Sequence, residues 1–114
     1  MGSPIVHFEI LGPDATKLNS FYHDLFGWEI DANNEFNYGM VAVQDDQGIA
    51  GGIGAAMDGK PVVTVYAQVP DLQAALDKAV SLGGKVVMEP ADLGMIQLAQ
   101  FTDPAGNLIG LVKG

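Results

Sequence analysis

The sequence predicts an α+β fold: two tandem βαβββ modules forming a cupped eight-stranded mixed sheet with the helices outside. Three observations carry this. Residues 5–28 read as a strand, a Pro-Asp entry and an amphipathic helix stopped by glycine. The same stretch recurs without a gap at residues 62–85, an offset of 57, half of the 114-residue chain: Val6 falls on Val63, Pro13 on Pro70, Asp14 on Asp71, Leu25 on Leu82 and Gly27 on Gly84. After each helix the pattern returns to alternation with turn residues between runs, the mark of short strands. An internal repeat fixes the architecture before any residue-level argument. It sets the modules at about 4–56 and 61–113 of a single domain, with M-D-G-K at residues 57–60 between them.

In the first copy, Val6, Phe8 and Ile10 alternate with Ile5, His7 and Glu9. A period of two gives a strand with one face toward a helix and the other toward something more polar. Asp14 is placed to cap the helix, a contribution of about 1 kcal/mol. Ala15, Leu18, Phe21, Tyr22, Leu25 and Phe26 form its inward stripe, while Lys17, Asn19, Ser20, His23 and Asp24 fall on the wet side. Gly27 ends it in the left-handed conformation that helix C-termini favour. Strands follow at residues 28–31, 38–44 and 49–54, separated by a polar turn at 32–37 and another at 45–48.

The second copy repeats the order. Its strand covers residues 62–68, Asp71 caps a helix with Leu72, Ala75, Leu76, Ala79 and Leu82 inward, and Gly83-Gly84 stops it. Strands follow at 85–88, 95–102 and 108–112, the last two joined by the turn D-P-A-G-N. With both helices covering one face, His7 and Glu9 point into a concave groove. Thr64, Tyr66 and Gln68 do the same in the second module, and Tyr38, Met40, Met95 and Gln97 share groove-facing parity at repeat-related places. Trp28 reads as packing.

Composition excludes several functions. The net charge is −9 with five Lys or Arg, which argues against nucleic acid, whose phosphates need clustered cations, and against anionic membranes. There is no cysteine, hence no disulfide and no thiolate zinc site. No apolar run approaches the roughly 20 residues of a membrane span, and the N-terminal residues lack signal-peptide character. Met1-Gly2-Ser3 opens like a myristoylation signal, but Val6 stands where Ser or Thr is required, and Met-Gly-Ser reads equally as a cloning remnant. The expected location is the cytoplasm. Gly51-Gly52-Ile53-Gly54 is no phosphate loop, because it is followed by neither Lys-Ser/Thr nor a helix; glycines within a strand mark close backbone approach.

The runs H-F-E-I, G-P-D, F-Y-x-x-L-F-G-W, G-G-I-G, V-P-D-L-x-x-A-L and D-P-x-G-N-x-I, in this order on a duplicated frame, resemble the vicinal oxygen chelate superfamily. This is the glyoxalase, bleomycin-resistance and extradiol-dioxygenase family, and the chain is most similar to its short bacterial members related to lactoylglutathione lyase. The resemblance covers essentially the whole chain. It implies a small-molecule ligand and a homodimer.

In the family's enzymes a divalent metal is held by a ligand from the first strand of each half, often His, and one from the last strand, commonly Glu. Carried across, His7 matches; its repeat partner is Thr64, the last-strand position of the second half is Gly110, and that of the first lies at or beside Gly52. A full structural zinc site is worth roughly 10–16 kcal/mol, so one imidazole in four supplies about 3–4 kcal/mol, or millimolar binding. No metal or other cofactor is therefore expected. The first expectation is a metal-independent member that binds a small organic molecule in the sheet cup, with Glu9 as candidate base and His7 as a hydrogen-bonding or proton-transfer group near its ordinary pKa. The alternatives are a metal-dependent lyase, isomerase or dioxygenase with a rearranged site at His7 and Glu9, and a drug-sequestering binder of the bleomycin-resistance type, whose acidic groove favours a cationic ligand.

Overall fold

β1 (Ile5–Gly12) leads through Gly12-Pro13 into α1 (Ala15–Phe26), and the Asp14 carboxylate accepts the Lys17 amide at 3.1 Å, closing the first turn as a cap. Gly27, at φ 71°, ends the helix by donating its N–H to the His23 carbonyl at 2.8 Å. The computed structural model describes residues 2–114. Met1, where the Met-Gly-Ser reading begins, lies outside them. After α1 come β2 (Ile30–Asp31), β3 (Gly39–Val41) and β4 (Ala50–Ala55). β5 (Val62–Val69), α2 (Leu72–Ser81), β6 (Lys85–Asp92), β7 (Gln97–Thr102) and β8 (Leu108–Lys113) repeat the order.

Among the described residues, two helices and eight strands of a mixed sheet thus make an α+β fold of two βαβββ repeats. The chain divides into two compact units, His7–Thr64 and Val65–Gly114, the latter with the first residues up to Val6. In the first repeat the order is β2-β3-β4-β1, with β1 parallel to β4 and the other pairs antiparallel. In the second the order is β5-β8-β7-β6, with β5 parallel to β8 and the rest antiparallel.

The second repeat has the fuller sheet. α2 packs on β6, β7 and β8, and Val69, Leu72, Leu76, Ala99 and Leu111 form its core. Leu76 is fully buried, worth about 2 kcal/mol from transfer alone. α2 ends in a Schellman arrangement: Gly84 N–H donates to the Ala79 carbonyl at 2.8 Å and Gly83 N–H to that of Val80 at 3.1 Å, with Gly83 at φ 102°. Leu82, expected inward, is the exposed capping residue instead. β6 runs to Asp92, beyond the expected residue 88. It absorbs Pro90 through register shifts in its pairing with β7, which is how a strand accommodates a residue without an N–H.

The first repeat is shorter in its sheet. The strand expected at 38–44 contracts to Gly39–Val41. Beyond it, Asp45 (φ 51°) and Asp46 (φ 59°) make a two-residue hairpin turn between Gln44 and Gln47. Five residues of β2 and β3 together offer little surface to cover, and this corrects the reading of α1. Ala15 is buried and Leu18 and Tyr22 are half-buried, but Phe21, Leu25 and Phe26 are 56, 57 and 57% exposed. Trp28 packs against Phe8 (5.4 Å between ring centroids), Tyr22 (5.5 Å) and Phe26 (5.0 Å). Asn19, read as solvated, points inward. Its amide nitrogen and oxygen are buried with no partner among the described residues, pressed against Gly39.

Candidate functional site

The chemistry of the first repeat gathers on one face of β1 and β4. Alternation puts Phe8 on the far side, where its ring fills the space a side chain at Gly51 would take. His7 and Glu9 therefore share the near face, with Glu9 opposite Gly52 and Gly52 opposite Met40 in the ladder. Tyr38 arrives from the segment between β2 and β3. Its hydroxyl donates to Glu9 Oε2 at 2.9 Å and lies 3.0 Å from His7 Nε2. Because the single phenolic proton goes to Glu9, the phenol oxygen is left to accept from the His7 Nε2–H.

The glycine-rich β4 makes this possible. A β-carbon at Gly52 would overlap the Tyr38 hydroxyl end, and one at Gly54 would meet the same ring at 2.8 Å. The expected close backbone approach is thus a tyrosine laid along a strand. Asn34 holds that tyrosine at both ends of its main chain: its Oδ1 accepts the Tyr38 N–H at 2.9 Å and its Nδ2 donates to the Tyr38 carbonyl at 2.7 Å. Asn37, in the left-handed region at φ 52°, ties the loop to α1 through Thr16 Oγ1 at 2.8 Å.

Burial of His7 lowers its pKa below the ordinary 6.5, and the neighbouring Glu9 charge raises it by less. This corrects the expectation of an unshifted imidazole: removal from water disfavours the cation.

The second repeat has its own row on adjacent strands: Tyr66 on β5, Gly110 on β8 and Gln100 on β7 are in register. The buried Tyr66 ring takes the space a side chain at Gly110 would need, and Gln100 Nε2 donates to the Tyr66 hydroxyl at 2.9 Å. Gln100 was not anticipated; Gln97 was. Ala99 and Phe101 pack with the core under α2, so the odd positions of β7 face the helix, and Gln97 lies on that face, not on the Tyr66 face. The physical reason is a slip of one residue between the repeats after α2. Gly52 matches Gly110 at an offset of 58 instead of 57, and a one-residue slip turns every side chain over.

Of the other expected ligand-binding residues, Met40 lies on the His7–Glu9 face and is half exposed, Thr64 is buried, and Gln68 is half-buried. Met95 is 98% exposed. It lines, with Gly94, Ile96, Gln97 and Lys113, an open cavity of about 150 Å³. A second cavity of about 320 Å³ lies under α2, bounded by Ala75, Lys78, Leu82, Phe101 and Leu111 among others.

The fold and the order of these features define the class, and comparison with known proteins gives it a name. Residues 4–111 match the Glyoxalase/Bleomycin resistance protein/Dioxygenase superfamily, and the chain belongs to it. It is 34% identical over 106 residues to a putative glyoxylase, CFP32, of Mycobacterium tuberculosis, covering 86% of this chain and 41% of that protein. With the anthracycline biosynthesis protein DnrV of Streptomyces peucetius it shares 30% identity over 117 residues, covering 87% and 42%. The chain thus spans about two fifths of the length of these relatives. Among solved structures it is similar to methylmalonyl-CoA epimerase from Mycobacterium tuberculosis, with a TM-score of 0.66 at 21% identity over 96% of this chain and 86% of that one. It is also similar to the hypothetical protein BH1468 from Bacillus halodurans, with a TM-score of 0.74 at 9% identity over 100% and 96%.

The residues at the family's metal positions do not fit that metal. Gly52 and Gly110 have no donor and Thr64 has only a hydroxyl. The space beside each glycine holds a tyrosine ring, and the His7 Nε2 bonds to one of these phenols. Among the described residues no three His, Cys, Asp or Glu stand together as a metal cluster, and no helix is long and apolar enough to cross a membrane.

Proposed function

We propose that this chain binds a small organic molecule against the His7–Tyr38–Glu9 face of its first repeat, without the glyoxalase-type metal. The observation that carries this reading is the Tyr38 hydroxyl, 3.0 Å from His7 Nε2 and 2.9 Å from Glu9 Oε2 over a glycine. It puts a hydrogen-bonding phenol where the family's pattern calls for a ligating carboxylate. Polar groups converging on a partly apolar face are what orients a small ligand. The names of the relatives, a putative glyoxylase and an anthracycline biosynthesis protein, support an organic ligand without fixing which. A cysteine-free chain suits the cytoplasm as well as any compartment. A second copy of the chain is the partner, joined through the exposed face of α1.

Metal content and ligand binding test this together. Untagged protein should carry less than about a tenth of an equivalent of Zn, Ni, Fe or Mn, and chelation should leave ligand binding unchanged. A thermal-shift screen of metabolites should give ligands whose binding weakens in Tyr38→Phe and Glu9→Gln. Stoichiometric metal, or hits indifferent to both substitutions, would overturn the proposal.

A further inference from the structure

We propose that the cavity under α2 is a second binding site, for a neutral aromatic compound of bicyclic size that carries an oxygen able to accept a hydrogen bond. The site lies wholly within the second repeat and goes beyond the reading given to the His7–Tyr38–Glu9 face. Its volume is about 320 Å³. A dry apolar cavity of roughly 150 Å³ is enough for benzene, so this one has room for a second ring. Pockets that hold small molecules are mostly apolar, with a few polar groups that orient the guest. Here Ala75, Ala79 and Leu82 of α2 face Phe101 of β7 and Leu111 of β8, and Lys78 and Asp103 are the charged groups.

The internal repeat explains why the space is there. At the offset of 57, Ala75 and Ala79 stand where α1 carries Leu18 and Tyr22, and Lys85 stands where the first repeat has Trp28. In the first repeat Tyr22 and Trp28 stack, with ring centroids 5.5 Å apart and planes 14° from parallel. The second repeat keeps the helix and its strands but puts two alanines and an exposed lysine in place of the leucine and that ring pair. Phe101 does not close the gap: it packs on the core beside Ala75 and still lines the cavity. What the first repeat supplies as its own aromatic side chains, the second leaves to a guest. An aromatic guest gains an offset-stacked or edge contact with Phe101.

The charges select among aromatic compounds. Asp103 is committed to its own turn: Oδ1 accepts the Ala105 and Asn107 backbone N–H groups at 2.9 Å each, and Oδ2 accepts the Asn107 side-chain amide at 2.9 Å. The hydrogen bonds from Asn107 hold its carboxyl below the ordinary range, so at neutral pH it is an anion that repels a ligand carboxylate. The net charge of −9 acts in the same direction, as does the partial negative charge at the C-terminal end of α2. Lys78, exposed in the last turn of α2, is the donor for an oxygen on the ring. A naphthol or an aryl ketone suits both groups, whereas an aryl carboxylate suits only the lysine.

Titration with 1-naphthol, followed by backbone amide NMR, tests this. Shifts should centre on Ala75, Ala79, Gly84 and Phe101 and saturate with a dissociation constant at or below about 1 mM. Ala79→Tyr and Ala75→Leu, which restore what α1 carries at Tyr22 and Leu18, should each weaken binding at least about tenfold. The wild-type shift map needs no variant, so misfolding of either one leaves the site tested. Lys78→Met should weaken 1-naphthol about threefold, the worth of one modest hydrogen bond, and 1-naphthoate should bind the wild type at least about tenfold more weakly than 1-naphthol. No saturable shifts, shifts centred on His7, Glu9 and Tyr38 instead, or binding that survives both filling variants would overturn the site. Lys78→Met without effect, or naphthoate binding as well as naphthol, would overturn the ligand class. Neither failure touches the reading of the His7–Tyr38–Glu9 face, which has its own variants.

Discussion

The hydroxyl end of Tyr38 occupies the space into which a β-carbon on Gly52 would project. The relationship is steric and exclusive, so Gly52→Ala must push Tyr38 away from β4 and break its bonds to His7 and Glu9. Two net hydrogen bonds at about 1 kcal/mol each, with overpacking of about 1–2 kcal/mol, give an expected loss of about 3–4 kcal/mol in urea unfolding. A loss below about 0.5 kcal/mol, with the His7 resonances unmoved, would show that Tyr38 does not rest on Gly52.

His7 predicts a pH dependence whose sign follows from burial. Its pKa is below 6.5 when folded and near 6.5 when unfolded, so on acidification the unfolded chain takes the proton first. The stabilising contribution is complete above about pH 6.5 and is lost as pH falls through the lower, folded value. The histidine Hε1 titration of folded protein should therefore have a midpoint below 6.5, and Glu9→Gln, by removing the charge that raises it, should push the midpoint lower still. A rise in Glu9→Gln would contradict the electrostatics described here.

Asn19 is buried against Gly39 without a hydrogen-bond partner among the described residues. An unsatisfied buried amide costs about 1–3 kcal/mol. Asn19→Leu, similar in volume and apolar, should therefore raise stability by about 1 kcal/mol, read as a higher denaturation midpoint at unchanged slope. Destabilisation by the same substitution would mean that the amide has a partner.

Much of this fold was legible because its signals are local. Asp14, Gly27, Asp71 and Gly83 act within a turn or two of themselves, and the 57-residue repeat carried one module's reading to the other. Alternation was enough to put His7 and Glu9 on one face. What joins them was less legible. Tyr38 leaves an irregular loop, and its aim depends on Asn34, a side chain bonding to main chain four residues on. Such bonds compete with strand pairing and leave no periodic mark. Gln100 was missed and Gln97 favoured because parity was carried across a one-residue slip. Asn19 was misplaced because helical periodicity says which side of α1 is apolar but not how much sheet lies beneath it.

The same limit explains α1, and the final prediction follows from it. Phe21, Leu25 and Phe26 keep the apolar spacing of an inward face, yet each is more than half exposed. Clustered apolar exposure of this kind marks an interaction surface more often than scattered single residues do. The partner proposed for it is a second copy of the chain. If α1 is that interface, the wild type should sediment as a dimer at tens of micromolar, and Leu25→Asp should raise the dissociation constant at least tenfold, about 1.4 kcal/mol. Because Leu25 is already exposed in the single chain, unfolding of the monomeric variant should move by less than about 0.5 kcal/mol. That separates lost association from lost folding. A wild type that is monomeric at about 100 µM, above the micromolar dissociation constants of ordinary specific complexes, would leave the stripe without a self-partner. A Leu25→Asp protein that stays dimeric would move the interface away from α1.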